Sequence, residues 1–433
     1  MTALTHADLA AMAQAVAADP AAKVAQNAVT TTTVTAVALN RAVVVATDPT
    51  VSHQLDTWPV TAQKHSGRCW LFSGLNLLRS QVIRDTNLED FEFSQNYLHF
   101  WDKLEKANWF FTSMIELADR DLDDRTVAQL LADPIGDGGQ WDMFVALVKK
   151  YGVVPKAAMP ETQSSSDTRA MNTVLATLLR RGARDLRAAG DREAVRAELM
   201  GQVYRVLTIH LGTPPTRVAW SYRDKDKQFT RTAEMSPLEF AAAVLTIDVD
   251  EFVCAVNDPR HEYGVTMTVD HLGNVVGGRP IRYLNLPAAE LEALVVKGIV
   301  AGRPVWFGCD TGQQFDKALG LWDPGLLEFE ALYGVDLTCT KAERMELKEE
   351  AMNHAMLFTG VDLVDGAPRR FRVENSWGDE VGVKGFMTMN EPWFPEHVFE
   401  VAVPVSDLGA ERQAQLAAEP IVLPLWDPMG TLA

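Results

Sequence analysis

The chain has 433 residues, 47% hydrophobic and 23% charged, enough to bury a large core in one elaborated domain or in two to three coupled ones. Its formal charge of −18, from 40 basic and 58 acidic residues, repels nucleic acid and anionic lipid, suits cationic partners such as free amino termini, and in any case serves solubility. No run approaches the ~18 apolar residues of a membrane span, and the N-terminus lacks a cationic start and apolar block. A soluble, cytoplasmic protein without membrane or nucleic-acid partners is expected.

Residues 1–57 are rich in Ala, Val and Thr. Thr30-Thr31-Thr32-Thr33-Val34-Thr35 is too β-branched for a comfortable helix and has no alternation to fix a strand, which predicts an extended arm packed on other parts. After Trp58-Pro59-Val60, the apolar positions Leu71, Phe72, Leu75, Leu77 and Leu78 recur at roughly helical spacing and place Cys69 in the first turn of a buried helix. A second helix follows Ser94, whose hydroxyl suits an N-cap, and a third opens after Asp137-Gly138-Gly139-Gln140-Trp141. That glycine loop lacks the spacing and the Lys of a phosphate cradle.

From Ser164 to about Thr213 the composition shifts to charged helical sequence, in which acidic neighbours make a solvated surface of the basic residues. Trp220 to Phe229 reads as a hairpin. Beyond it, Arg303–Cys309, Met356–Val361 and Arg370–Glu374 are strand-like runs bounded by Gly, Pro or charge. The first half is thus expected to be helical and the second half sheet.

Four cysteines, Cys69, Cys254, Cys309 and Cys339, are spread too widely for a disulfide framework or paired zinc ligands; no metal or cofactor is expected, and a reducing compartment suits a free thiol. Cys254, Cys309 and Cys339 read as inert core. Cys69 differs because Gln63, Ser66, Gly67 and Arg68 precede it before the sequence turns apolar.

A thiol attacks as thiolate, which the free amides of a helix start and a neighbouring imidazolium both favour. His354 is the histidine followed by a strand-like run and then by Glu374-Asn375-Ser376-Trp377-Gly378. The interval to Asn375 lets one strand end, turn and return beside it, so that the Asn375 oxygen can hold the imidazole in its useful tautomer while Trp377 covers that bond. Gln63 can donate to the oxyanion together with the Cys69 amide, worth roughly 3 kcal/mol per donor. Cys69 is then nucleophile, His354 general base and later acid, Asn375 orienter and Gln63 oxyanion donor. His65 lies in the turn and is expected to be exposed.

Together these residues resemble the papain-like cysteine peptidases, whose signature is C-G-[SA]-C-[WY] with His and Asn about 130 to 150 residues downstream. Here the letters are Ser66-Gly67-Arg68-Cys69-Trp70, departing at two positions, and His354 lies 285 positions beyond Cys69. The Arg, the doubled spacing, Asp137–Met143, Phe93–Leu98 and the ending Trp426–Ala433 look more specifically like the bleomycin hydrolase and bacterial aminopeptidase C branch, over nearly the whole chain.

The resemblance implies an α+β papain-like fold, a helical half plus an antiparallel β-barrel half, with a helical insertion and an N-terminal hook or arm. It also implies a homohexamer with internal active sites and an aminopeptidase acting on peptides with free amino termini. The expected divisions are an arm (1–57), the helical half with Cys69 (58–163), a helical insertion (164–235), the β-rich half with His354 and Asn375 (236–415) and a tail in the cleft (416–433). Pro420, Pro424 and Pro428 favour an extended tail, and the family places a terminal carboxylate, here that of Ala433, on the substrate ammonium. Gly138, Gly139 and Trp377 are also expected to contact substrate. The alternatives are an endopeptidase of the same fold or a catalytically silent binding homologue.

Overall fold

The computed structural model describes residues 2–432. Residues 1–57 are expected to be extended, yet they form four helices, α1 (His6–Ala17), α2 (Pro20–Val29), α3 (Val34–Ala38) and α4 (Arg41–Ala46). The high helix propensity of the alanines overrides the threonine run, which survives as the break between α2 and α3, with Thr33 as the residue before the α3 start. Thr5 and Asp8 build a reciprocal capping box on α1. Neither α1 nor α2 buries a residue, whereas Ala38 packs with Leu321, Leu326 and Leu327.

The helical part follows its apolar periodicity. Helix α5 (Cys69–Asp85) is buried from Cys69 to Ile83, and α6 (Gln95–Glu116) starts at Ser94, whose Oγ accepts the Tyr97 N–H at 3.0 Å. Next come α7 (Arg125–Ala132), α8 (Trp141–Tyr151) and the single turn α9 (Gln163–Ser166). Two long helices, α10 (Arg169–Ala188) and α11 (Arg192–Leu211), pack on α6 through Met171, Leu175, Leu179, Val203 and Leu207 and leave their charges in water. Their basic residues lie in a solvated face, with Arg196 paired to Glu193 at 2.6 Å.

One large sheet fills the second half. Its strands are β1 (His53–Gln54), β4 (Phe252–Val256), β5 (Thr266–Val269), β6 (Tyr283–Asn285), β7 (Val305–Cys309), β8 (Phe315–Asp316), β9 (Leu321–Trp322), β10 (His354–Val364), β11 (Ala367–Glu374), β12 (Phe386–Asn390), β13 (Val398–Pro404) and β14 (Ile421–Leu423). They run in the order β14-β5-β6-β4-β13-β7-β10-β11-β12-β9-β8, with β1 added to β10. A separate hairpin joins β2 (Ser221–Arg223) to β3 (Phe229–Arg231). The expected sheet is antiparallel throughout, but β4·β6, β9·β12 and β5·β14 pair in parallel, toward the two ends of the strand order.

Strand side chains alternate between two cores. On β4, Cys254 and Val256 join the core of the helical part, while Val253 and Ala255 join the core that α13 (Ala288–Val300) covers from the other face. Helix α12 (Pro237–Val244) packs against α8. The sheet therefore lies between α5 on one side and α13 on the other, and the cysteine at the start of α5 meets the starting edge of β10. All four cysteines are free; Cys254 and Cys309 are buried, but Cys339 is only half-buried, since it lies in a charged surface loop outside the apolar periodicity of any element.

Candidate active site

Helix α5 begins at Cys69, and its N-cap, Arg68, offers no side-chain acceptor, so the first-turn amides remain open toward the site. Arg68 is fully buried instead. Its guanidinium pairs with Glu161 at 2.7 and 3.1 Å, and its Nε donates to Ser66 Oγ at 2.9 Å. The arginine that departs from the papain-like signature is thus a rivet under the loop that leads into Cys69. Asp137 fixes the same loop from the other side: its carboxylate accepts the Gly67 N–H at 3.1 Å and pairs with buried Lys103 at 2.6 Å, and its carbonyl accepts Trp70 Nε1–H at 2.8 Å. The Trp70 ring lies where a Cβ on Gly139 would stand, at 2.4 Å, so this position requires glycine.

Strand β10 opens with His354, aligned with Cys309 on β7, and β11 ends at Glu374, aligned with Leu357. Asn375 therefore leaves its strand beside His354, with Oδ1 2.8 Å from the imidazole Nε2. The same oxygen accepts the Ser376 N–H at 2.7 Å, so it is the acceptor and Nε2 carries the hydrogen. That leaves Nδ1 unprotonated to receive a thiol proton. Trp377 packs its ring 5.0 Å from the imidazole, centre to centre.

Two ties hold α5 against these strands. Ser73 Oγ donates to the Ala355 carbonyl at 3.0 Å, one residue from His354. Asn76 and Arg79 donate to the Glu374 carboxylate at 3.0 and 3.1 Å, one residue from Asn375. The amides of Ala355, Trp70 and Cys69 all face the thiol.

Gln63 is buried and locked to the same turn: its N–H donates to the Ser376 carbonyl at 2.8 Å, and its Oε1 accepts Ser376 Oγ–H at 2.6 Å. One Nε2 hydrogen goes to the Ser66 carbonyl at 2.5 Å. The second is available to an oxyanion. His65 is exposed, and its backbone N–H donates to the Ser166 carbonyl at 2.9 Å in an isolated bridge beside Asp167.

Burial dominates the electrostatics. It pushes the Cys69 thiol up to about 11, against the lowering effect of the three amides and with a small further push from Asp137. The His354 imidazole is pushed down to about 4 by burial, partly offset by its bond to Asn375. A thiolate is expected from the helix start, but the helix alone does not produce it in so dry a site. A thiolate at Cys69 would need a cationic partner to offset this burial.

A cavity of about 850 Å³ adjoins the site, lined by Asp137, Gly138, Asn353 and the chain end at 425–428 and 430–432. Gln140 Nε2 donates to the Thr431 carbonyl at 2.5 Å, and Tyr283 Oη–H to that of Met429 at 3.3 Å. The approach is extended at β14, but Pro428 opens a single 3₁₀ turn, Pro428–Gly430, since proline is tolerated at a helix start. Ala433 lies outside the described residues. Among the described residues no His, Cys, Asp or Glu group is arranged to hold a metal. Arg68, Glu161, Ser376 and Gln140 went unassigned from sequence; the Arg at a position the signature gives to a small residue was the one available signal.

The Peptidase C1-like family model matches residues 3–430. The chain belongs to this family of cysteine peptidases. It is 42% identical to bleomycin hydrolase of Homo sapiens, covering 99% of both chains, and 39% identical to aminopeptidase C of Lactobacillus delbrueckii subsp. lactis, covering 96% of this chain and 95% of that one. The crystal structure of PepW from Lactobacillus rhamnosis HN001 superposes with a TM-score of 0.98 at 43% identity, covering all of both chains.

Proposed function

We propose that this peptidase is a cysteine aminopeptidase that releases N-terminal residues from peptides. The carrying observation is the 2.8 Å bond that commits His354 Nε2 to Asn375 and leaves Nδ1 for the thiol at the open end of α5. Cys69 Sγ attacks the scissile carbonyl as its proton passes to His354 Nδ1. The oxyanion accepts hydrogens from the Cys69 amide and Gln63 Nε2. Collapse breaks the C–N bond, the imidazolium protonates the departing amine, and a thioester remains on Cys69. Water then attacks the thioester, giving its proton to His354 and releasing the acid.

The chain end supplies the exopeptidase character. Seated along the cavity beside Gly138, it blocks one side of the cleft, and the Ala433 carboxylate receives the substrate ammonium in a charge-assisted bond. Trp377 forms part of the departing side. Names given to the relatives, bleomycin hydrolase and aminopeptidase C, support this reading.

The divisions expected from sequence complete it: arm, helical half, insertion, barrel-like β-rich half and tail. Helices α1 and α2 expose Leu9, Met12, Val16 and Val24, an apolar surface suited to further copies of the chain in a homohexamer. The charge of −18 suits cytoplasmic peptide substrates and disfavours nucleic acid.

The test is the product pattern from one defined peptide with a free and with an acetylated amino end. Stepwise release from the free form and resistance of the acetylated form are expected. Internal cleavage of both would assign an endopeptidase, and cleavage of neither a silent homologue.

A further inference from the structure

The segment that enters the cleft is held by one set of opposed charges withdrawn from water. Arg260, 10% exposed, lies between Asp258, fully buried, and Asp427, 11% exposed. Its Nη2 and Nη1 donate to the two Asp427 oxygens at 2.7 and 3.2 Å, while Nε and Nη2 donate to the two Asp258 oxygens at 2.9 and 2.8 Å. Asp258 is itself fixed: it accepts the Arg260 N–H at 3.0 Å, meets His261 Nδ1 at 3.0 Å, and its own N–H donates to Asn285 Oδ1 at 2.9 Å. The guanidinium is therefore preorganised before Asp427 arrives.

Asp427 uses its carboxylate twice. Besides pairing with Arg260, Oδ1 accepts the Met429 N–H at 2.9 Å and so caps the turn Pro428–Gly430. The ion pair thus fixes both the place and the direction from which Thr431 reaches Gln140, next to Gly139. Other ties hold the stretch on either side of the ion pair: β14 pairs with β5 upstream, and Tyr283 and Gln140 hold the Met429 and Thr431 carbonyls downstream. Lys348 reaches the Trp426 carbonyl at 3.3 Å, Arg125 lies 4.1 Å over the Trp426 ring, and upstream Val422 is 62% exposed.

We propose that the Arg260–Asp427 ion pair is a specificity-determining clamp, seating the chain end in the cleft and so setting the preference for free over blocked amino termini. It rests on the reading of the chain end as the ammonium anchor. Arg260 and Asp427 act as positioning residues: they hold the segment whose end meets the substrate. Bidentate pairing in a half-dry setting gives the seated state its advantage over a released one. Without it the end samples solvent, the ammonium loses its partner, and the blocked side of the cleft opens.

The experiment compares full-length enzyme, Asp427→Ala and an enzyme lacking Thr431–Ala433. Each is assayed for kcat and KM on a dipeptide amide with a free amino end and on its acetylated form, with active thiols counted by alkylation. Asp427→Ala leaves Arg260 its Asp258 partner; Asp427→Asn, which keeps a cap oxygen, separates the lost charge from the lost cap. Expected is a fall of about tenfold or more in the free-over-acetylated ratio of kcat/KM for Asp427→Ala. It should arise from a raised KM on the free substrate and a gain on the acetylated one, with a smaller fall for Asp427→Asn. A ratio changed by truncation but not by Asp427→Ala overturns the clamp and leaves the anchor reading standing. A ratio changed by neither overturns the anchor reading itself. Equal losses on both substrates in Asp427→Ala, with thiols still reactive, also overturn the clamp.

Discussion

Replacing Asn375 by alanine removes one acceptor from an imidazole that must become cationic during each turnover. The bond is 2.8 Å long and buried, and it raises the His354 pKa against burial. A hydrogen bond to a charged group contributes about 1.5–3 kcal/mol, so kcat should fall about 10- to 150-fold. The sign of the pH effect follows from the same bond. Its loss lets burial lower the imidazole pKa further, so the alkaline limb of kcat, where the general acid loses its proton, moves to lower pH. Asn375→Asp keeps the acceptor and adds a negative charge, so it should move that limb to higher pH. Steady-state kinetics on a dipeptide amide from pH 5 to 9 measure both. An Asn375→Ala enzyme within threefold of the parent, with an unmoved limb, would refute the assignment of Asn375 as the group that orients the imidazole.

Gln63→Ala should raise the barrier to kcat by about 3 kcal/mol, roughly 100-fold in rate, because the donor to the oxyanion is lost together with its standing bonds to Ser66 and Ser376; a loss confined to KM would contradict this. Gly139→Ala must displace the Trp70 ring from 2.4 Å and should cost about 1–3 kcal/mol in urea unfolding while raising KM; an unchanged midpoint and KM would show that the ring has room to move. Glu400 is 1% exposed, and burial, with help from Asp142, raises its pKa from 4.5 to about 8. The folded state keeps a proton that the unfolded state has lost between those values, so stability falls as pH rises through that window. Glu400→Gln should therefore unfold at higher urea than the parent at pH 8, and the advantage should shrink toward pH 5; parallel profiles for the two proteins would contradict the assignment.

The signals that could be read in the sequence were local. Glycine and polar residues ahead of Cys69, helical spacing after it, and a strand-turn pattern from His354 to Asn375 depend on near neighbours, and the structure starts α5 at Cys69 and joins His354 to Asn375 at 2.8 Å. Long-range pairings left no such mark. Arg68 and Glu161 are 93 positions apart, and nothing near Arg68 announced its partner. The arm is helical because the alanines around its short β-branched run outweigh that run. Burial was the third gap. A helix start predicts a stabilised thiolate, but only the packed structure shows how little water reaches Cys69 and how far its thiol is pushed up. The parallel β-pairs were equally hidden, since periodicity fixes which face a strand buries and not which neighbour it meets.

The catalytic assignment stands most directly on Cys69. Partial alkylation with iodoacetamide near pH 6.5, followed by mass spectrometry of each cysteine-containing peptide, gives the modified fraction of Cys69, Cys254, Cys309 and Cys339 beside the residual activity. The fraction of Cys69 modified should equal the fraction of activity lost, with the reaction slowed in His354→Ala, buried Cys254 and Cys309 unmodified, and any modification of half-buried Cys339 unrelated to the activity lost. Full activity on enzyme whose Cys69 is completely alkylated would contradict the mechanism.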